Sequence, residues 1–521
     1  MKHLRKIVSI LLTAIMVLAM CIPVMADGIN GYTITINNSI SGHTYQAYQI
    51  FSGKLSTNSQ NQKVLSNIDW GNGITDAKKN ELGSAEEKAR NLVAPDDAAA
   101  FAKTIANNLQ NPIESTFSNG VYAISGLAAG YYLIKDKDNT LTNADDYYTA
   151  YIMEVVGDVT AEPKGNKPTL NKQIKHNETD TWGVVGDNQI GDTVYFRTIT
   201  SVPDTKGYTT YSYVITDTMS AGLTSNVKGV NNVKILINDS TENVLETKYY
   251  TVNVDSQNSN KFTVTVDIIN AIKDKKIEKN QSLYTYYDAI LNKDAIIYDQ
   301  GKQDNTAYLE YSNNPNNNTE KGKTPDKIVY DWTFKMGVKK VNAKGEQLSG
   351  AKFVLSKTGT MSTKNMKIND AGVPTETSGL IALIKDTENN TYTIAPSGAT
   401  NTTYVIETGN AIIKGLDDSV DYYLYETKSP EGYNLLKTPV QFKINVEYNE
   451  DGSLCAENKP TVTVGTLELS TNLKTEIVNE SGSTLPSTGG IGTTIFYIVG
   501  VVLVLGAGVL LVTKKRMNAD K

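Results

Sequence analysis

The sequence predicts an all-β protein of tandem sandwich domains, and three observations carry that expectation. Runs rich in Thr, Val, Ile and Tyr alternate with Gly, Pro and Asn turn signals along most of the chain, the pattern of pleated, half-buried strands. Tyrosine, at 30, far outnumbers phenylalanine, at 9, which suits rings lying on a thin core with the hydroxyl in solvent. Between apolar segments at its two ends, the 521-residue chain leaves room for about three domains of ordinary size.

The first segment, 1–26, has a basic start (Lys2, Arg5, Lys6), an apolar stretch from Ile7 to Val24 and a small-residue end at Ala26. That order predicts a secretory signal peptide cleaved after Ala26. Leu18-Ala19-Met20-Cys21 approaches a lipoprotein box, but Met20 stands where a small residue is required. After cleavage Cys455 is the only cysteine left, so no intrachain disulfide can form, which is unusual for a long extracellular β protein. The net charge of −6 excludes a basic footprint for nucleic acid. The three histidines and two cysteines show no metal-ligand spacing, so neither metal nor cofactor is expected.

The first domain is read as 27–167. Tyr32–Ile36 and Thr44–Phe51 alternate as strands, and a helical insertion is expected from about Asp96. An aspartate at 96 or 97 lies near its N-cap, with Phe101, Ile105 and Leu109 on one face. Ser125–Ile134 reads as a turn feeding a strand, and its Gly130-Tyr131-Tyr132-Leu133 resembles a form found in Ig-like surface repeats. The domain ends in Glu162-Pro163-Lys164-Gly165-Asn166-Lys167-Pro168, a linker by its prolines and glycine. Its Pro-Lys resembles the pilin motif of sortase-assembled pilus shafts, with Glu162 where that family has tyrosine. The resemblance implies that the Lys164 amine joins this subunit to the next; Lys167 is the alternative nucleophile.

The second domain is read as 168–333. It opens on a strand in which Lys172 lies between apolar positions, and many further strands separated by turns predict a sandwich. Thr216–Leu223 and Asn305–Pro315 resemble the middle, Ig-like domain of pilus backbone subunits. There a first-strand lysine forms an isopeptide bond to an asparagine on the last strand, beside an aspartate. Carried over, the lysine is Lys172, the aspartate Asp217 and the asparagine Asn305, with Asn313 as the alternative. Burial in an apolar core lowers a lysine pKa and raises a carboxyl pKa. The amine is then a nucleophile, and the acid can donate to the asparagine carbonyl.

The third domain is read as 334–483. Met336–Leu355 resembles the start of a collagen-adhesin B-type repeat, and Tyr422-Tyr423-Leu424-Tyr425-Glu426-Thr427-Lys428-Ser429-Pro430-Glu431-Gly432-Tyr433 fits that family's E-box, YxLxETxxPxGY. Alternation places Glu426 on the core side with Leu424, and a buried glutamate without a basic partner is costly unless protonated and hydrogen-bonded. The resemblance implies an isopeptide bond from Lys340 to Asn479 with Glu426 as catalytic acid, Lys339 facing the other way. Ser481 to Thr484 is read as a flexible link.

The last segment, 484–521, holds Leu485-Pro486-Ser487-Thr488-Gly489, an uncharged apolar run from Ile491 to Val512, and Lys514-Lys515-Arg516. A run of about 20 apolar residues can cross a ~30 Å hydrocarbon core, with the basic cluster on the cytoplasmic side. The order resembles the LPxTG cell-wall sorting signal of Gram-positive surface proteins. By that resemblance a sortase cysteine attacks the Thr488 carbonyl, releases Gly489 onward and passes Thr488 to an amine.

Together these resemblances, covering nearly the whole chain, imply a major pilin of Gram-positive sortase-assembled pili. The implied partners are pilus-specific and housekeeping sortases, copies of itself, minor pilins, peptidoglycan, and host surface or matrix ligands. The implied localisation is the cell surface, bound to the wall after a transient membrane anchor. The alternatives are a monomeric wall-anchored adhesin and a minor basal or tip pilin of the same fold. An enzyme finds no support in the sequence beyond the formation of its own crosslinks, since no Ser/His/Asp or Cys/His arrangement is present.

Overall fold

Period-two alternation of apolar and polar residues becomes, in the computed structural model, three successive pairs of β-sheets. The structure describes residues 31–38, 41–93, 95–138, 150–161, 167–205, 208–314, 319–361, 366–457, 459–465, 467–469, 473–482 and 491–517. The signal-peptide reading, Lys164 and the LPSTG motif lie outside the described residues.

In the first pair, Tyr32–Asn37 sits between Val121–Leu127 and Val159–Ala161, while Tyr45–Thr57 runs between Lys63–Trp70 and Gly130–Asp136. Ile34, Ile36, Tyr45, Ile124 and Ile134 fill the space between the sheets. The expected helix is there as Pro95–Ile105; it starts at a proline, whose fixed φ and missing N–H suit a first helical turn. Phe101 and Ile105 bury against Ile50 and Phe51, and Leu109 joins them only beyond a 3₁₀ turn at Ala106–Asn108. Two short helices, Asp76–Leu82 and Ala85–Asn91, precede it. Ser84 caps the second by accepting from the Glu87 N–H at 3.3 Å, a Ser-x-x-Glu signal present in the sequence.

The second pair places Leu170–Lys175 beside Thr193–Ser201, which pairs with Ser282–Leu291. The facing sheet runs Val185–Asp187, Lys327–Trp332, Gln303–Ser312, Tyr213–Met219, Lys261–Val266, Tyr250–Val254. One expectation is corrected here. The strand carrying Asn305 is not the last, because Lys327–Trp332 follows and pairs antiparallel with it.

In the third pair, Phe334–Asn342 runs parallel to Lys474–Asn479, with Lys340 opposite Ile477 and Asn342 opposite Asn479. Lys352–Ser356, Asp421–Lys428 and Val440–Asn445 build the facing sheet. Ser481, expected in a free link, forms a bridge with Tyr433.

One apolar core is continuous through the second and third pairs. At their junction the Ile190 N–H donates to the Gly415 carbonyl and Trp332 Nε1 to the Gly452 carbonyl, both at 3.0 Å. Gly415 and Gly452 have φ of +86° and +78°, and a Cβ there would press into Ile190 and Tyr330 respectively; glycine meets both demands. The tyrosine expectation also needs correction. Tyr213, Tyr392 and Tyr422 are fully buried, with hydroxyls bonded internally to Ser201, Glu407 and Gln189.

The terminal helix, Ile491–Met517, contains the apolar run. Its side chains are described from Ile498 to Lys514. Over the residues whose side chains are described, no helical stretch is long and apolar enough to cross a membrane. The run from Ile491 to Val512 read from the sequence would extend about 33 Å as a helix.

Candidate lysine–asparagine sites

Leu170, Lys172 and Ile174 share the inward face of their strand, so alternation carries Lys172 into the core. Its side chain is fully buried, flanked by the Phe196 and Tyr287 rings at 5.5 and 5.1 Å from their centroids. The ammonium nitrogen contacts Asp217 Oδ2 and the Tyr287 hydroxyl, and that hydroxyl donates to the same Asp217 oxygen. Asp217 lies opposite Ala307, and Met219 opposite Asn305. This diagonal puts Asn305, 1% exposed, on the inner face near Asp217. Both amide atoms of Asn305 and Oδ1 of Asp217 are buried without a hydrogen-bond partner, a rare state for native polar groups. Asn313 is six residues beyond Ala307, about 20 Å along the strand direction. The fold brings Asn305 to this cluster and leaves Asn313 at its far end.

Burial lowers the Lys172 pKa and raises that of Asp217; their mutual attraction opposes both shifts. Desolvation favours the neutral amine beside the neutral acid. Tyr287 was not foreseen. Its signal was present, since Leu283, Thr285, Tyr287, Ala289 and Leu291 alternate inward on one strand.

The second cluster joins the two sheets of the third pair. Lys340, Glu426 and Asn479 are 0, 2 and 1% exposed, whereas Lys339 faces out and pairs with Glu476 at 2.8 Å. Lys340 Nζ contacts Asn479 Oδ1 and donates to the Ile477 carbonyl at 2.8 Å. Asn479 Nδ2 donates to Glu426 Oε1 and Oε2 at 3.0 and 3.2 Å, and to the Asn434 carbonyl at 2.9 Å. Glu426 Oε2 also accepts from the Leu436 N–H at 2.8 Å. The acid therefore faces the amide nitrogen of Asn479. Burial pulls Lys340 down to about 8, against the pull of Glu426 at 4.0 Å. Burial raises Glu426, offset by the Leu436 N–H, then Asn479 and Lys340. Asn434 and Leu436 were missed by sequence reading; they are delivered by the turn at Gly432, φ +81°, within the E-box.

In the first pair no asparagine is buried among the described residues. Lys167 is described, and is half-buried.

Comparison with known families adds what geometry alone does not. Residues 190–315 match the family of Gram-positive pilin backbone subunit 2, Cna-B-like domain. Residues 334–460 match the SpaA prealbumin-like fold domain, and residues 477–519 the LPXTG cell wall anchor motif. Together these matches support a sortase-assembled backbone pilin. The anchor match places this pilin at the cell wall surface. A fimbrial subunit type 1 of Actinomyces viscosus is 32% identical to it over 136 residues, 25% of the pilin and 22% of that protein. The pilin thus spans about a fifth of that relative's length. Similar solved structures include the T6 backbone pilin of serotype M6 Streptococcus pyogenes, at 17% identity and a TM-score of 0.48, covering 88% of this chain and 100% of that one. The full-length major pilin SpaD from Corynebacterium diphtheriae has 18% identity and a TM-score of 0.46, covering 87% and 98%.

Proposed function

We propose that this pilin is the repeating shaft subunit of a covalent pilus, with domains at 27–167, 168–333 and 334–483. A pilus-specific sortase cleaves between Thr488 and Gly489 and holds Thr488 as a thioester. The Lys164 amine of the next subunit attacks that carbonyl, forming an amide and releasing the sortase thiolate. A housekeeping sortase passes the last subunit to a peptidoglycan amine. Minor pilins and host surface ligands complete the proposed partners.

Within each subunit the two lysine–asparagine clusters form isopeptide bonds. Neutral Lys340 attacks Cγ of Asn479, the C–N bond to the amide nitrogen breaks, and Glu426 shuttles a proton to the departing nitrogen, which leaves as ammonia. Lys172, Asn305 and Asp217 follow the same course, with Tyr287 relaying between amine and acid. The chain turns over no substrate; the chemistry happens once per bond. The observation that carries this reading is the dry Lys340–Asn479–Glu426 cluster, because a buried amine, amide and acid within contact have little else to offer a fold.

The test is an immunoblot of wall extract boiled in detergent, comparing wild type with Lys164→Ala. A high-mass ladder that collapses to one band supports the shaft subunit and its nucleophile. Survival of the ladder transfers the linkage to Lys167 or elsewhere. A single band in both strains favours a monomeric wall-anchored adhesin.

A further inference from the structure

The junction of the second and third sheet pairs gathers four carboxylates that the crosslinking chemistry does not use. Glu178 follows the strand Leu170–Lys175, Asp187 ends the strand Val185–Asp187, and Asp417 and Asp418 follow the strand Asn410–Leu416. One oxygen from each lies within 4.8 Å of the others. Asp187, Asp417 and Asp418 are at most 2% exposed, and Glu178 is exposed. Oδ1 of Asp187, of Asp417 and of Asp418 are buried without a hydrogen-bond donor, and Asp187 Oδ2 meets only the His176 ring. Among the described residues, no lysine or arginine pairs with any of the four; only His176 does, through Nδ1 to Glu178 at 3.0 Å and Nε2 to Asp187 at 3.2 Å.

Four acids this close, three of them dry, repel one another strongly when ionised. A fold can hold them by protonation or by a cation at their centre. The four carboxylates each bring an oxygen to within 4.8 Å of the others, and two further oxygens are engaged from outside: Asp417 Oδ2 by Asn177 at 2.8 Å, Asp418 Oδ2 by Tyr448 at 3.2 Å. That is a set of oriented acceptors with outer hydrogen bonds in place, as around bound metals. We propose that Glu178, Asp187, Asp417 and Asp418 form a calcium site bridging the second and third units. An oxygen-only donor set suits a hard cation of six to eight ligands, waters completing the shell. Zinc would favour nitrogen or sulfur donors. His176 holds Glu178 and Asp187 in place, and Glu178 at the surface gives the ion a way in. The ligands come from both units, so binding couples their orientation and stiffens a joint that the two lysine–asparagine bonds do not span.

The full-length chain in detergent, stripped with a chelator, is titrated calorimetrically with calcium chloride, and separately with magnesium and zinc chlorides. One calcium per chain is expected, with affinity on the order of 0.1–1 mM as in extracellular modules. Asp187→Asn with Asp418→Asn should weaken binding at least about tenfold. Each Asp→Asn change relieves repulsion, so the double variant should melt higher than wild type without calcium and no longer respond to it. No binding at 10-fold the upper concentration, unchanged binding in the double variant, or zinc binding alone dependent on His176 would each overturn the calcium site. A melting temperature indifferent to calcium but raised by mild acid would assign the cluster to shared protons instead.

Discussion

Replacing Glu426 by glutamine separates the proposed acid from the packing it occupies. The side chains are nearly isosteric, and a glutamine oxygen can still accept the Leu436 N–H. What is lost is the proton shuttle, so Lys340 and Asn479 should remain unjoined. The bond closes a span with a sequence separation of 139 residues. In the chain-entropy treatment of crosslinks, a loop of that size restricts the unfolded state by about 5 kcal/mol. Spread over a unit of roughly 150 residues, this corresponds to a fall in melting temperature of about 10–20 °C. Intact-mass spectrometry of the full-length chain should show the variant heavier than wild type by one ammonia, after allowing for the substitution. Calorimetry should show the transition of the third unit moved down and the others unmoved. A variant that still loses that ammonia refutes the role of Glu426. A variant that keeps the ammonia but melts with wild type refutes the claim that the bond stabilises the fold.

The Lys172–Asn305–Asp217 cluster can be dissected the same way. Lys172→Ala and Asn305→Ala should each retain one ammonia, whereas Asn313→Ala should leave the mass deficit intact; loss of the deficit in Asn313→Ala would reverse the assignment made from strand register. Tyr287→Phe removes the hydroxyl shared by Lys172 and Asp217 while keeping the ring. It should slow closure, seen by mass as a mixture in freshly made protein that matures with time; immediate full closure would reduce Tyr287 to packing. For pH, Asn479→Ala preserves an unjoined Lys340. Its folded pKa of about 8 lies below the ordinary 10.5, so between those values the unfolded chain binds more protons and stability rises with pH. Denaturant titrations of that variant should show the rise across this window, and a flat profile would place Lys340 in water.

What could be read from the sequence follows from how local each signal is. The inward place of Lys172 and Glu426 needed only period-two alternation, which a strand enforces residue by residue, whereas Lys340 was chosen over Lys339 by the family resemblance. Choosing Asn305 over Asn313 needed the register of Asp217 against Ala307, which is set by pairing across the sheet and cannot be seen in one strand. Asn434 and Leu436 meet Glu426 because a glycine turn folds the chain back, so their role depends on a contact rather than a pattern. The four junction acids were invisible for the same reason: no spacing relates Asp187 to Asp417, only the packing of one unit on the next. The expected wet tyrosines failed in the opposite sense. Composition was right about tyrosine, but Tyr213, Tyr392 and Tyr422 reach internal partners that a count cannot reveal.

The positions of the two clusters decide how a shaft subunit would carry tension. In the third unit Phe334–Asn342 and Lys474–Asn479 are parallel neighbours, so pulling the chain from both ends shears one strand along the other. A Lys340–Asn479 bond lies beside that ladder and removes everything between the two residues from the path of force. The second unit differs. Force entering at Lys172 would cross to Asn305, but it must still travel through Gln303–Ser312 into Lys327–Trp332 before reaching Phe334. That outer strand is held by its ladder to Gln303–Ala307 and by its parallel pairing with Val185–Asp187. The weakest step under load is therefore the segment between Asn305 and Phe334, outside both bonds and ending at the acidic junction. A cation bridging Asp187 to Asp417 and Asp418 would secure the end of that segment, where covalent chemistry provides nothing.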